Sequence, residues 1–355
     1  ATVERGHQIG IGLAHTGASL RHQHGAVFNR LSHGHGHLRL PGSRVKRRFG
    51  HRQCTIRGKS GCHRVRQLTQ DDFSLSSPTQ RTNPRAIKCG TYRYTYYKLY
   101  MSPNYRIQAA TGIHRGDREY QQDQVLLMAH PYAKGCILGV VADGMGGHTG
   151  GVLAAQQVIH TASSNLGQFS ARSESARSML EASLNEAHLL IKASRFINEK
   201  DPHSTAVMLL LQPGKVSWAH CGDSRLYRFR GDRLMFRTTD HSYVEQLVAK
   251  RKITPEQALV HPNRNILVTS LGGDEEPRID FGEAADLQAG DSFLLCSDGL
   301  WAYFGEAELG GVLAAHTARA ASELLIDRAR TRAQGEGDNV SLAILKLVEA
   351  PSKNG

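Results

Sequence analysis

No apolar run in the 355-residue sequence approaches the ~18 residues of a membrane-spanning helix, so a soluble, cytoplasmic chain without a membrane partner is expected. Cysteine is sparse and unpaired in spacing. Cys54, Cys62, Cys89, Cys136, Cys221 and Cys296 offer neither the close pairs of a zinc site nor the density of a disulfide scaffold. Methionine is missing from the first 100 residues, and so, nearly, is acid. That stretch holds 18 Lys and Arg against 3 Asp and Glu, while residues 101–355 hold 26 against 29. The net charge of +12 and the high pI therefore belong to the first 100 residues, and only there could they argue for nucleic-acid binding.

Two compositions are joined in one chain. Residues 1–88 show neither a 3.6 nor a 2-residue period and are rich in Gly, His and Arg, so the apolar surface they could bury falls short of the entropy cost of ordering. Disorder over 1–103 is the expectation. Phosphate contacts through residues 44–48 and metal capture by His33, His35 and His37 rank below it. A start at Met101, with an extension of the reading frame upstream, accounts for the missing methionine and the break in charge. Residues 92–100, with their many tyrosines, read either as an edge strand or as part of that extension.

From Tyr105 the pattern changes. Apolar strands are expected at 105–110, 124–130, 136–142, 204–211, 215–221, 225–230, 233–239, 265–270, 279–286, 291–297 and 340–347. Val152, Ala155, Ile159, Ala162 and Leu166 recur at helical spacing, as do Leu180, Leu184, Ala187 and Ile191. Shorter helices are expected at 242–249, 254–259, 306–315 and 318–332. Strands and helices in this order, without strict alternation, make an α+β fold of antiparallel sheets packed face to face with helices outside.

Four aspartates sit in turns at the ends of apolar strands: Asp143, Asp223 and Asp298 after one, and Asp338 just before the last. Each alone is explained by the turn preference of Asp-Gly and Gly-Asp. Together with Asp123 they point instead to a carboxylate-lined site for hard cations, Mg²⁺ or Mn²⁺. Two such ions can activate a shared water for attack on phosphorus, and Arg118, five residues before Asp123, is placed to grip phosphate oxygens.

GDREYQQDQ, VVADGMGGHTGG, HSTAV, HCGDSRLYRFR, LLCSDGLW and GDNVSLAIL occur in that order, and together this series resembles the PPM family of metal-dependent serine/threonine protein phosphatases, protein phosphatase type 2C, in its compact bacterial form. The resemblance spans about residues 104–348, leaving a tail at 349–355. It implies a four-layer α-β-β-α sandwich whose Asp143 bridges two catalytic ions, with the Gly144 carbonyl on one and Asp298 and Asp338 on the other. It further implies a third, weaker ion at Asp223 with help from Asp298, a water-orienting Asp123, a phosphate-holding Arg118, and Asn339 in support of Asp338. Residues 240–273 resemble the flap segment and following strand of bacterial members.

Three positions depart from the family pattern. Gln122 stands where some members have Glu, and His203 where a Gly is common. Met145 stands where many eukaryotic members have a His that protonates the leaving alkoxide, and His148 is the nearby substitute, either as that acid or as a loop histidine without a part in catalysis. The expected function is hydrolysis of phosphoserine and phosphothreonine in proteins, opposing a serine/threonine kinase. The absence of a Cys-x₅-Arg loop weighs against a cysteine-nucleophile phosphatase. A catalytically weak scaffold of the same fold is the alternative, disfavoured because a binding module needs none of the aspartates.

Overall fold

The computed structural model describes residues 87–89, 92–100, 105–198 and 201–350. The expectations for residues 1–86 lie outside these. The central strands are continuous apolar runs because both of their faces are covered. In β5 (Ile137–Ala142) every residue is buried: Leu138, Val140 and Ala142 face one cluster, and Ile137 and Val141 face another. β8 (Ala206–Gln212) and β13 (Asp291–Cys296) alternate in the same way.

Two antiparallel sheets result. One has five strands in the order β12 (Asp280–Ala284), β9 (Lys215–Cys221), β8, β5 and β4 (Gln124–Ala129). The other has seven, in the order β1 (Ile87–Cys89), β2 (Tyr92–Tyr100), β3 (Tyr105–His114), β14 (Val340–Glu349), β13, β10 (Arg225–Arg230) and β11 (Arg233–Arg237). A two-stranded ribbon, β6 (Gly144–Met145) with β7 (His203–Ser204), was not foreseen. Residues 92–100 are thus a strand, pairing with β3 from Thr95 opposite Thr111 to Tyr100 opposite Arg106, upstream of the boundary expected at residue 104.

α1 (His148–Gln168) and α2 (Ala176–Asn198) cover the outer face of the five-stranded sheet, burying Ala155, Ala162, Leu166, Leu180, Leu184, Ala187 and Ile191. α6 (Glu306–Ala315) and α7 (Ala318–Ala333) cover the seven-stranded sheet through Leu309, Leu313, Leu325 and Ile326. The four-layer α+β sandwich is therefore as expected. Between the sheets lie Ile107, Leu209, Phe293, Leu295 and Leu345. Phe293→Ala is expected to cost about 3–5 kcal/mol of stability, because it opens a cavity in a fully covered layer. Denaturant titration checks this.

α3 (Tyr243–Ala249) and α4 (Pro255–Leu259) form as expected, capped by Ser242 and by a Thr254/Gln257 capping box. The strand expected at 265–270 does not form. Its backbone makes only isolated bridges, Ser242 with Leu267, while Leu271 beyond it bridges Ser204. Among the described residues it pairs only briefly, with the Tyr243 N–H donating to the Ile266 carbonyl and the Val268 N–H to the His241 carbonyl, and Ile266 and Val268 remain exposed. No helix among the described residues is long and apolar enough to cross a membrane.

Candidate active site

The aspartates converge because strands from both sheets end on the same side of the sandwich. Asp143 follows β5, Asp298 opens the one-turn helix α5 (Asp298–Trp301) just past β13, and Asp338 precedes β14. Asp223 lies in the turn between β9 and β10, and Asp123 immediately precedes β4. Asp143 feels the charges of Asp123, Asp298, Asp223 and Asp338, so all five carboxylates form one cluster.

Backbone packing around the cluster leaves no room for side chains at two turns. A Cβ on Gly144 would lie 2.0 Å from the Gly151 carbonyl oxygen, and one on Gly116, at φ +64°, would lie 1.9 Å from the Asp338 carbonyl oxygen. The 115–122 loop is clasped to the 337–339 turn. The Asp117 Oδ2 accepts from the Gly337 N–H at 2.7 Å, and the Asn339 amide donates to the Arg115 and Tyr120 carbonyls while accepting from the Gln122 N–H at 2.6 Å. Asn339 supports Asp338 through its backbone N–H, which donates to Asp338 Oδ1 at 2.8 Å, but its side chain serves the Arg118 loop.

Arg118 Nη2 donates to Asp338 Oδ2 at 2.6 Å, with Arg118 62% and Asp338 41% exposed at the rim. Asp123 is wholly buried. Ser297 Oγ donates to its Oδ2 at 2.8 Å, while its Oδ1 has no partner. Burial, reinforced by the charges of Asp298 and Asp338, pushes the Asp123 carboxyl up to about 7 against the opposing hydrogen bonds of Ser297 and Ser341. Burial and then Asp338 push Asp298 up to about 6. Asp143 and Asp223 are also held well above the ordinary carboxylate range, by burial first and neighbouring carboxylates next.

Among the described residues, Arg118 is the sole cation paired directly with any of the five aspartates. Carboxylates so placed repel one another, and a buried carboxylate oxygen without a partner is costly. Divalent cations with oxygen ligands satisfy both conditions, so the residues present fit such ions. Gln122 keeps a structural link, donating through Nε2 to the Gly147 carbonyl at 3.1 Å. His203 pairs with Asp201 at 3.0 Å, away from the cluster. His148 opens α1 next to Gly147, and its side chain lies outside the described residues.

Ser297, Ser341, Asp117 and Trp301 were not singled out in the sequence. The serines carry no motif of their own; only strand register brings Ser341 opposite Ser297 and both against Asp123. A second polar group was also missed. His220, His241 and Asp280 place one ligand atom each within 4.8 Å of one another. The two imidazoles stack at 4.6 Å with planes 26° apart, so their in-plane lone pairs run side by side instead of converging on one ion. His241 Nδ1 accepts the Gly222 N–H at 3.2 Å, which makes the stack a brace for the Asp223 turn.

A family model described as protein phosphatase 2C matches residues 112–332. The serine/threonine phosphatase Stp of Listeria innocua is 29% identical over 212 residues, covering 58% of this chain and 83% of that protein. PstP, a serine/threonine protein phosphatase of Mycobacterium tuberculosis, is 36% identical over 172 residues, covering 47% of this chain and 32% of that one. Among solved structures, a Streptococcus agalactiae serine/threonine phosphatase superposes with a TM-score of 0.63 at 28% identity, over 68% of this chain and all of that one. The catalytic domain of PstP, solved in complex with two manganese ions, superposes with a TM-score of 0.59 at 28% identity, over 68% of this chain and 99% of that one.

Proposed function

The chain belongs to the protein phosphatase 2C family, and from that premise we propose how its residues divide the hydrolysis of phosphoserine and phosphothreonine. The observation that supports the division is the cluster of five aspartates around a fully buried Asp123 whose Oδ1 has no partner. Asp143, the Gly144 carbonyl, Asp298 and Asp338 would hold two Mg²⁺ or Mn²⁺ ions, and Asp223 with Asp298 a third, more weakly. Bound there, divalent cations neutralise the carboxylates and lower the pKa of a coordinated water.

Asp123 would orient such a water by accepting a hydrogen bond at the unpartnered Oδ1, while the Ser297 hydroxyl keeps Oδ2 occupied and the carboxylate fixed. Arg118, exposed at the rim, turns its second guanidinium edge to the phosphate oxygens. The loop bearing it is held by the Asn339 amide, so the guanidinium is presented from a fixed backbone. His148 protonates the leaving seryl or threonyl oxygen. The protein reverses the work of a serine/threonine kinase, and its substrates are phosphoproteins.

Phosphate release from a phosphothreonine peptide and from nitrophenyl phosphate, measured on the full chain with Mn²⁺, Mg²⁺ or chelator, tests this division. Chelator is expected to abolish both activities. His148→Ala is expected to slow the peptide about 10²–10⁴-fold and to spare nitrophenyl phosphate, whose leaving group needs no proton. Equal effects on the two substrates would remove His148 from the mechanism, and activity undiminished by chelator would overturn the cation assignment.

A further inference from the structure

α5 is a single turn that begins with Asp298 and ends with Trp301, so the two side chains lie on one face, three residues apart. The indole Nε1 of Trp301 donates to the backbone carbonyl of Asp223 at 2.9 Å. One hydrogen bond therefore ties the turn carrying Asp223 to the helix carrying Asp298. The indole is itself clamped. The Arg225 guanidinium lies 3.5 Å above its ring, and the same guanidinium grips Asp240 through two parallel bonds of 2.8 and 2.7 Å and reaches the Tyr227 hydroxyl at 3.1 Å. Arg225 and Asp240 are almost wholly buried, so this arrangement is held firmly.

The charges serve the same end. Arg225 and Asp240 form an ion pair at 2.7 Å, so the clamp on the indole carries compensated charge. We propose that Trp301, held in place by Arg225, is a positioning residue that sets the Asp223 carboxylate against Asp298 and so determines how tightly the third cation binds. This rests on the reading that Asp223 and Asp298 share that weakest ion. On the same reading Asp143, Gly144 and Asp338 together with Asp298 would hold the two tighter ions, and the Trp301 bond does not bear on the first three of these.

The test is Mn²⁺ titration of the full chain, read by electron paramagnetic resonance of the free ion. Trp301→Phe keeps an aromatic ring for Arg225 to stack on and removes the five-membered half of the indole with its N–H. The expected result is three binding steps in the wild type and a loss of about 10–100-fold in the weakest step alone in the variant. Arg225→Lys, which keeps the charge but loses the two-pronged grip, is expected to give the same selective loss and stands in if Trp301→Phe does not fold. A weakest step that is unchanged, or three steps weakened together as a merely structural role would give, overturns the proposal. Two steps only in the wild type would instead sink the third-cation reading beneath it.

Discussion

Asp143→Asn is expected to abolish phosphatase activity and, in the metal-free protein, to raise the melting temperature. The two effects have one cause. Asp143 lies among four other carboxylates, each of which pushes it toward the protonated form, so its charge is a burden on the fold unless cations are present. Asparagine has the same shape, keeps the backbone N–H of residue 143 on the Thr205 hydroxyl, and carries no charge among the neighbouring carboxylates. The stabilisation should be about 0.5–2 kcal/mol, or about 2–4 °C in melting temperature per kcal/mol for a domain of this size. The catalytic loss should exceed about 10³-fold, since several kcal/mol of charge stabilisation disappear with the cation ligand. Calorimetry in chelator and a phosphate-release assay in Mn²⁺ measure the two halves. A destabilised metal-free variant would show that the cluster is not strained by its own charge.

Metal-free protein is also expected to lose stability as pH rises from about 6.5 to 8, with the slope removed by saturating Mn²⁺. An unfolded aspartate titrates near 3.8, whereas folded Asp123 titrates near 7 and Asp143 and Asp223 well above the ordinary range. In this window the folded state therefore holds more protons than the unfolded one, and stability falls with pH as those protons leave. The choice of window matters because buried histidines act in the opposite sense. His241, pushed down to about 4 by burial and then by His220, favours unfolding as pH drops below 6.5, where the unfolded chain takes up a proton that the folded one refuses. That contribution is half spent at pH 6.5 and gone by about pH 7.5, so the raised carboxylates set the slope in the upper part of the window. The effect should be on the order of a few kcal/mol across the window. Chemical denaturation at three pH values, with and without Mn²⁺, measures it. Stability rising with pH in chelator would refute the charge-strain account, and Asp123→Asn should flatten the slope.

Much of this architecture is written in local patterns. Runs such as Ile137 to Ala142 and Ala206 to Leu211 are apolar at every position, which only strands covered on both faces require, and α2 repeats its buried Leu180, Leu184, Ala187 and Ile191 at spacings of four, three and four. The cluster of aspartates is legible for the same reason: a carboxylate just after or just before a strand has its side chain at the sheet end. The apolar stretch at 265–270 misleads because local pattern signals capacity for a strand, whereas a ladder needs a longer paired edge than residues 241–243 supply there.

The sequence by itself therefore determined most of the element order, the sandwich of antiparallel sheets, and the grouping of Arg118, Asp123, Asp143, Asp223, Asp298 and Asp338 as candidates for one site. Only the tertiary structure decided how they are held. It put Ser297 and Ser341 against Asp123, turned the Asn339 amide to the Arg118 loop, set Arg118 on Asp338, and tied Asp223 to α5 through Trp301. Those partners lie up to 224 residues apart. Burial and strand period are properties of a residue and its near neighbours, whereas a hydrogen bond across the sandwich depends on the register of strands far apart in the chain.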